Sequence, residues 1–252
     1  MAARVLALSG IPWHHELVWE SLVWGAVAAS SLLLGTLLAI ARRWPPRLLG
    51  VVLGFGAGAL IASVSLDLVA GGYQEAGALA VAAGLSLGAL AYYGANRAVD
   101  RWTARSGGNA AGAPLALGAL LDGIPEQAVL GIGLAAGGGV SVALLVAIFV
   151  SNLPESIGSS ADMLAAGRRR NRVIGLWMLV TAVCAAATVA GFAVADVIGA
   201  AAQAGVNGFA AGALLVMLTN SMIPEAREKA GNLSGLAAVV GFAVAAALML
   251  LD

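Results

Sequence analysis

The octapeptide Gly54-Phe55-Gly56-Ala57-Gly58-Ala59-Leu60-Ile61 recurs as Gly208-Phe209-Ala210-Ala211-Gly212-Ala213-Leu214-Leu215. Each copy lies inside a long apolar run, at 48–70 and at 204–226. Further runs at 17–41, 76–98, 114–136, 140–164, 173–195 and 231–251 bring the series to eight. A helix needs about 20 residues to cross the hydrocarbon core of a bilayer, and each run supplies them. The alternation of polar and apolar residues that builds a membrane β-barrel is missing. Unbroken stretches of Ala, Leu, Val and Gly predict helices instead.

Composition agrees with this reading. Of 252 residues, 61% are hydrophobic, 34 more are Gly, and only 10% are charged. Hydrophobic residues and Gly together reach about three quarters, against about 45–50% in soluble domains. So few charges do not cover the surface of a soluble enzyme, and the chain is too apolar to be disordered. The net charge is zero and no basic face is present, which argues against nucleic-acid binding. Cys184 is the only cysteine, so disulfides and cysteine metal clusters are excluded. The N-terminal residues lack a small-residue cleavage site after a short apolar core, so no signal peptide is expected.

The basic residues set the orientation. Arg42, Arg43 and Arg47 follow the first run; Arg97, Arg101 and Arg105 follow the third. Arg168, Arg169, Arg170 and Arg172 follow the fifth, and Arg227 and Lys229 follow the seventh. The positive-inside rule puts these four loops in the cytoplasm and both termini outside. An extracytoplasmic tail, 1–16, then precedes one transmembrane domain, 17–251. With this orientation the octapeptide runs outward in span two and inward in span seven. Similar sequence in opposite directions marks an inverted repeat, a common transporter plan. Chance recurrence in a Gly/Ala-rich chain is the competing explanation. A repeat makes 17–98 the first arm, 114–164 a central helix pair, and 173–251 the second arm. Arg outnumbers Lys twelve to one, a composition typical of a GC-rich bacterial genome, so the plasma membrane of a bacterium is the expected location.

The central pair carries its own echo. Asp122-Gly123-Ile124-Pro125-Glu126 in span four parallels Ser151-Asn152-Leu153-Pro154-Glu155 in span five. A carboxylate inside a membrane costs about 2.5–3.5 kcal/mol on insertion scales, so each suggests function. Asp122 and Glu126 are four apart and share a helix face. Ser151 lies one turn before Glu155 and Ser159 one turn after it, with Asn152 bordering the same face. Pro125 and Pro154 remove backbone donors and free the carbonyls of Leu121 and Val150. The spans provide no neighbouring Lys or Arg by sequence, so three carboxylates require protons or a bound cation.

At these residues the chain resembles the Zrt/Irt-like protein (ZIP) family of divalent metal transporters. The resemblance extends over most of the chain and includes the Gly-rich stretch of span two and Ile223-Pro224-Glu225 at the end of span seven. It implies an all-α bundle of eight spans, a 3+2+3 inverted repeat, and a metal site between spans four and five. The family's His-Asn-x-Pro-Glu-Gly motif falls on Asp122 to Gln127, and its polar pair before Pro-Glu falls on Ser151 to Glu155. Asp122 stands where the family usually has a His, Gly123 where it has Asn, and Asn220 and Ser221 where His and Glu are often found. The implied metal ligands are Asp122, Glu126, Ser151, Asn152 and Glu155, with Glu126 and Glu155 bridging.

An oxygen-only donor set suits hard ions such as Mn²⁺, Mg²⁺ or Ca²⁺ and still accepts Fe²⁺ or Zn²⁺, so the cation identity stays open. The loss of a ligand at Gly123 favours one site over two. Candidate pathway residues are Asp67, Ser159, Asp162 and Asn220. Asp67 lines the external approach or sits at the interface; Asp162 guides a released ion or faces Arg168 to Arg170. Glu225 is expected to form an interfacial ion pair with Arg227 or Lys229. His14 and His15 are a capture pair or an incidental feature of the tail. Gly50, Gly54 and Gly58 form a small-residue seam for close helix packing, within the chain or in a homodimer.

The expected function is transport of a divalent cation, with no prosthetic group and no enzymatic activity. A proton-coupled carrier of another solute and a non-transporting membrane partner are the alternatives.

Overall fold

The computed structural model describes residues 13–105, 113–135 and 140–249. Ten α-helices run through them: α1 (Trp13–Ala41), α2 (Pro46–Ser63), α3 (Ala70–Ala76), α4 (Ala78–Arg105), α5 (Ala113–Ala135), α6 (Val142–Ala165), α7 (Arg170–Val197), α8 (Ala200–Met217), α9 (Ile223–Ala230) and α10 (Leu233–Met249). Among the described residues there is no strand. α1 opens at Trp13, inside the stretch expected as a tail, because nothing in Trp13-His14-His15-Glu16 interrupts a helix. The side chains of His14 and His15, and residues 1–12, lie outside the described part.

Six helical stretches are long and apolar enough to cross a bilayer: Val18–Ala41, Pro46–Gln74, Ala78–Trp102, Val142–Ala165, Arg170–Ala195 and Ala201–Ala230. The chain is therefore an all-helical, multipass membrane protein. α10 is a shorter apolar helix, and α5 carries Asp122, Glu126 and Gln127 in an otherwise apolar sequence. Large apolar side chains point outward, among them Leu79 (85% exposed) and Val197 (79%). A lipid-facing surface accounts for that exposure, because hydrocarbon rather than water surrounds it.

Local sequence explains where the helices begin and turn. Pro46 starts α2, where its missing N–H is one the helix leaves unpaired anyway. Ser141 caps α6, its hydroxyl accepting the Leu144 N–H at 3.3 Å. Gly77 (φ +80°) and Gly231 (φ +58°) reverse the chain after α3 and α9, in a region that side chains avoid.

Two π-helical segments interrupt otherwise continuous rods. Val64–Val69 joins α2 to α3, and Leu218–Met222 joins α8 to α9. The register that superposes Gly54 on Gly208 also superposes Val64 on Leu218 and Gly77 on Gly231. The repeated octapeptides thus begin longer repeated structures, each ending in a π turn and a positive-φ glycine.

The packing repeats as well. α2 lies along α10 and α8 lies along α4. A β-carbon on Gly58 would strike the Ala238 backbone, and one on Gly212 the Leu85 backbone. Gly54 meets Ser234 as Gly208 meets Val81, and Gly241 meets Phe55 as Gly88 meets Phe209. Such small-residue contacts bring helix backbones together where lipid offers no hydrophobic drive. α1 packs against both α6 and α7, while α5 packs chiefly against α7. Leu53, Leu60, Leu130, Ile148, Leu214 and Leu218 belong to one buried cluster, drawn from α2, α5, α6, α8 and the second π turn.

Candidate cation site

α5 and α6 each carry an internal proline, Pro125 and Pro154, followed directly by Glu126 and Glu155. The spacing on α5 puts Asp122 and Glu126 on one face. Packing then brings Glu155 across from them: Glu126 lies within the field of Asp122, and Glu155 within the fields of both. Glu126 is 1% exposed, and its Oε2 has no hydrogen-bond partner. Asn152 is equally buried, and its Nδ2 is also unpartnered. Buried polar atoms left unmatched in this way are costly, and a ligand that matches them is favoured.

The five expected ligands are not placed alike. Asp122 accepts a hydrogen bond from the Tyr92 hydroxyl on α4. Ser151 donates to the Ile148 carbonyl at 3.0 Å and lies against α2 at Gly56. Ser156 anchors the next turn, donating to the Asn152 carbonyl at 2.8 Å. Among the described residues, no three His, Cys, Asp or Glu side chains converge as ligands of one metal ion. Any cation held here would need oxygens beyond the carboxylates, from Asn152, Ser151 or the carbonyls freed by the prolines.

Of the pathway candidates, Asp67 is partly buried and accepts from Ser141 Oγ at 3.5 Å, at the start of α6. Ser159 is partly buried, one turn past Glu155. Asp162 and Asn220 are exposed. Ser221, the neighbour of Asn220, lies within hydrogen-bonding reach of Tyr92. The intervening π turn adds a residue and rotates the face that a regular helix would present.

Lys229 on α9, half-buried, lies within the field of Glu155, and Glu225 within the fields of Asp122 and Glu155. Glu225 does pair with Lys229, at 2.6 Å, as its spacing predicts. The pair also reaches the centre, because α9 leans over α6 at Gly158. The third Pro-Glu step, at Pro224-Glu225, was the visible signal for Glu225. Tyr92 gave none, since an aromatic residue on an apolar helix reads as packing.

Cys184 on α7 is fully buried and faces Gly123, within the field of Glu126 and Glu155. Beside it, Thr188 donates to Gln127 Oε1 at 2.7 Å, and Gln127 Nε2 is unpartnered. A polar layer therefore surrounds the carboxylates at the middle of three helices. No family model matches the chain, and no curated protein matches it.

Proposed function

We propose that the chain is a secondary transporter that moves a divalent cation across a membrane, on the plan of the ZIP family. The observation that carries this reading is the buried, unpaired Oε2 of Glu126 beside Asp122 and Glu155. A dipositive ion would neutralise that group and satisfy the orphaned oxygen. Glu126 and Glu155 bridge the ion in this reading, with Asp122 and Asn152 completing its shell. Zinc, iron and manganese remain candidates, with the oxygen donors favouring the harder ion.

The matched π turns, matched positive-φ glycines and matched glycine contacts support eight spans in a 3+2+3 inverted repeat. With α5 and α10 counted as spans, the arginine-rich loops fall on one side, taken as the cytoplasm, and both termini fall on the other. A bacterial plasma membrane fits the composition. Alternating access would come from the α5/α6 pair and its neighbours moving against the arms.

Uptake of ⁵⁴Mn²⁺ or ⁶⁵Zn²⁺ into proteoliposomes tests the proposal. Wild type should accumulate the ion and the Glu126→Ala/Glu155→Ala double variant should not. Equal uptake by both overturns it.

A second reading, proton-coupled carriage of another solute, draws on one observation: carboxylates, Tyr92 and Ser221 adjoin, yet among the described residues no three metal-type side chains converge. Solute-driven proton flux in the absence of divalent metal would favour that reading.

A further inference from the structure

Resting on the transporter reading, one end of the carboxylate cluster has a cationic side chain of the protein beside it. Glu155 is acted on by Asp122, Glu126 and Glu225 and by the ammonium of Lys229. An ordinary i,i+4 pair on a helix lies out in solvent and contributes little. The Lys229–Glu225 pair is partly exposed as well, but its charged ends lie against α6. Lys229 Nζ is 3.0 Å from the position a β-carbon on Gly158 would occupy, and Glu225 Oε1 is 3.8 Å from it. Gly158 is one turn past Glu155, so its missing side chain is what seats the ammonium there. The stem of Lys229 is held from the other side, its Cβ packed on Gly50 of α2. The lysine therefore joins α2, α9 and α6 at one end of the carboxylate cluster.

We propose that Lys229 is a tethered counter-cation that competes with the transported ion for the Glu155 end of the cluster. Its single charge balances the carboxylates when no ion is present. A divalent ion, with twice the charge on a smaller body, displaces the ammonium toward Glu225 and solvent. A monovalent ion gains no such advantage over an ammonium. Lys229 thereby sets the preference for divalent over monovalent cations as well as the affinity.

The test is a Mn²⁺ titration of the full chain, read by thermal shift in detergent and by Mn²⁺ uptake into proteoliposomes. Both are run with and without competing Na⁺. Lys229→Met removes the charge, and Gly158→Leu fills its seat while leaving the charge in the chain. Both should raise apparent Mn²⁺ affinity about tenfold and make binding more sensitive to Na⁺. Lys229→Arg should bind as wild type does. Glu225→Gln, which leaves the ammonium to Glu155 alone, should lower affinity.

Unchanged affinity in Lys229→Met and Gly158→Leu, with wild-type uptake intact and lost in Glu126→Ala/Glu155→Ala, overturns this inference and leaves the transporter reading standing. Binding that emerges only in Lys229→Met supports it. No Mn²⁺ response in wild type or any variant overturns both.

Discussion

Tyr92 on α4 donates a hydrogen bond from its hydroxyl to the carboxylate of Asp122 on α5. Tyr92 is 3% exposed and also lies within reach of Ser221 in the second π turn. One hydroxyl thus ties a proposed ion ligand to the packed α4/α8 pair. A cation that took Asp122 would compete with that bond, which would link occupancy of the proposed site to the position of that pair.

Removing the hydroxyl isolates this link. Tyr92→Phe leaves a half-buried carboxylate without its donor, which costs about 1 kcal/mol, the low end of the range for an unmatched buried group. The cation-free protein should melt at lower temperature, and added Mn²⁺ should recover more stability than it does in wild type. An unchanged melt would mean the bond contributes nothing.

The departure at Asp122 predicts a change of selectivity. Asp122→His restores the nitrogen ligand that the resemblance implies, and zinc binds imidazole well. The thermal shift with Zn²⁺ should grow relative to that with Mn²⁺. A variant whose ratio matches wild type would place Asp122 outside the coordination sphere.

The matched glycine contacts predict matched sensitivity. Gly58→Leu collides with Ala238 backbone and Gly212→Leu with Leu85 backbone. Each should cost about 3 kcal/mol, the upper end of the usual range for overpacking. Gly175→Leu, with nothing within 4 Å of the added carbon, should be tolerated. Monodispersity after purification and thermal midpoints would report the difference, and equal behaviour of all three would contradict the packing.

The Gln127–Thr188 pair predicts a non-additive cycle. Thr188→Val strands the Gln127 oxygen in a buried layer, at about 1–3 kcal/mol. Adding Gln127→Leu should recover much of the loss, because no polar group is then left unmatched. Additive losses would show that the two side chains do not act as a pair.

How much of this was legible beforehand follows from range. Every expected apolar run is helical over most of its described residues, with Gly77, Val140, Ser141, Gly231 and Asn232 left outside the helices, because a backbone in lipid must satisfy its own hydrogen bonds. Asp122 and Glu126 could be put on one face from their spacing alone, and Glu225 with Lys229 likewise. Gly54 and Gly208 announced a repeat whose π turns and packing partners were out of view. The π turn that carries Asn220 and Ser221 was equally out of view, because a reading of constant helical period does not register the extra residue.

By itself, the sequence determined what depends on neighbours a few residues away: helical runs, their apolarity, the Pro-Glu steps and the echo of one octapeptide in another. Only the tertiary structure decided which side chains from distant helices share the centre. Tyr92 reaches Asp122, and Lys229 crosses to α6 over Gly158, because glycine seams let the helices approach within side-chain length. Those meetings depend on backbone distance and helix rotation, which no local pattern encodes.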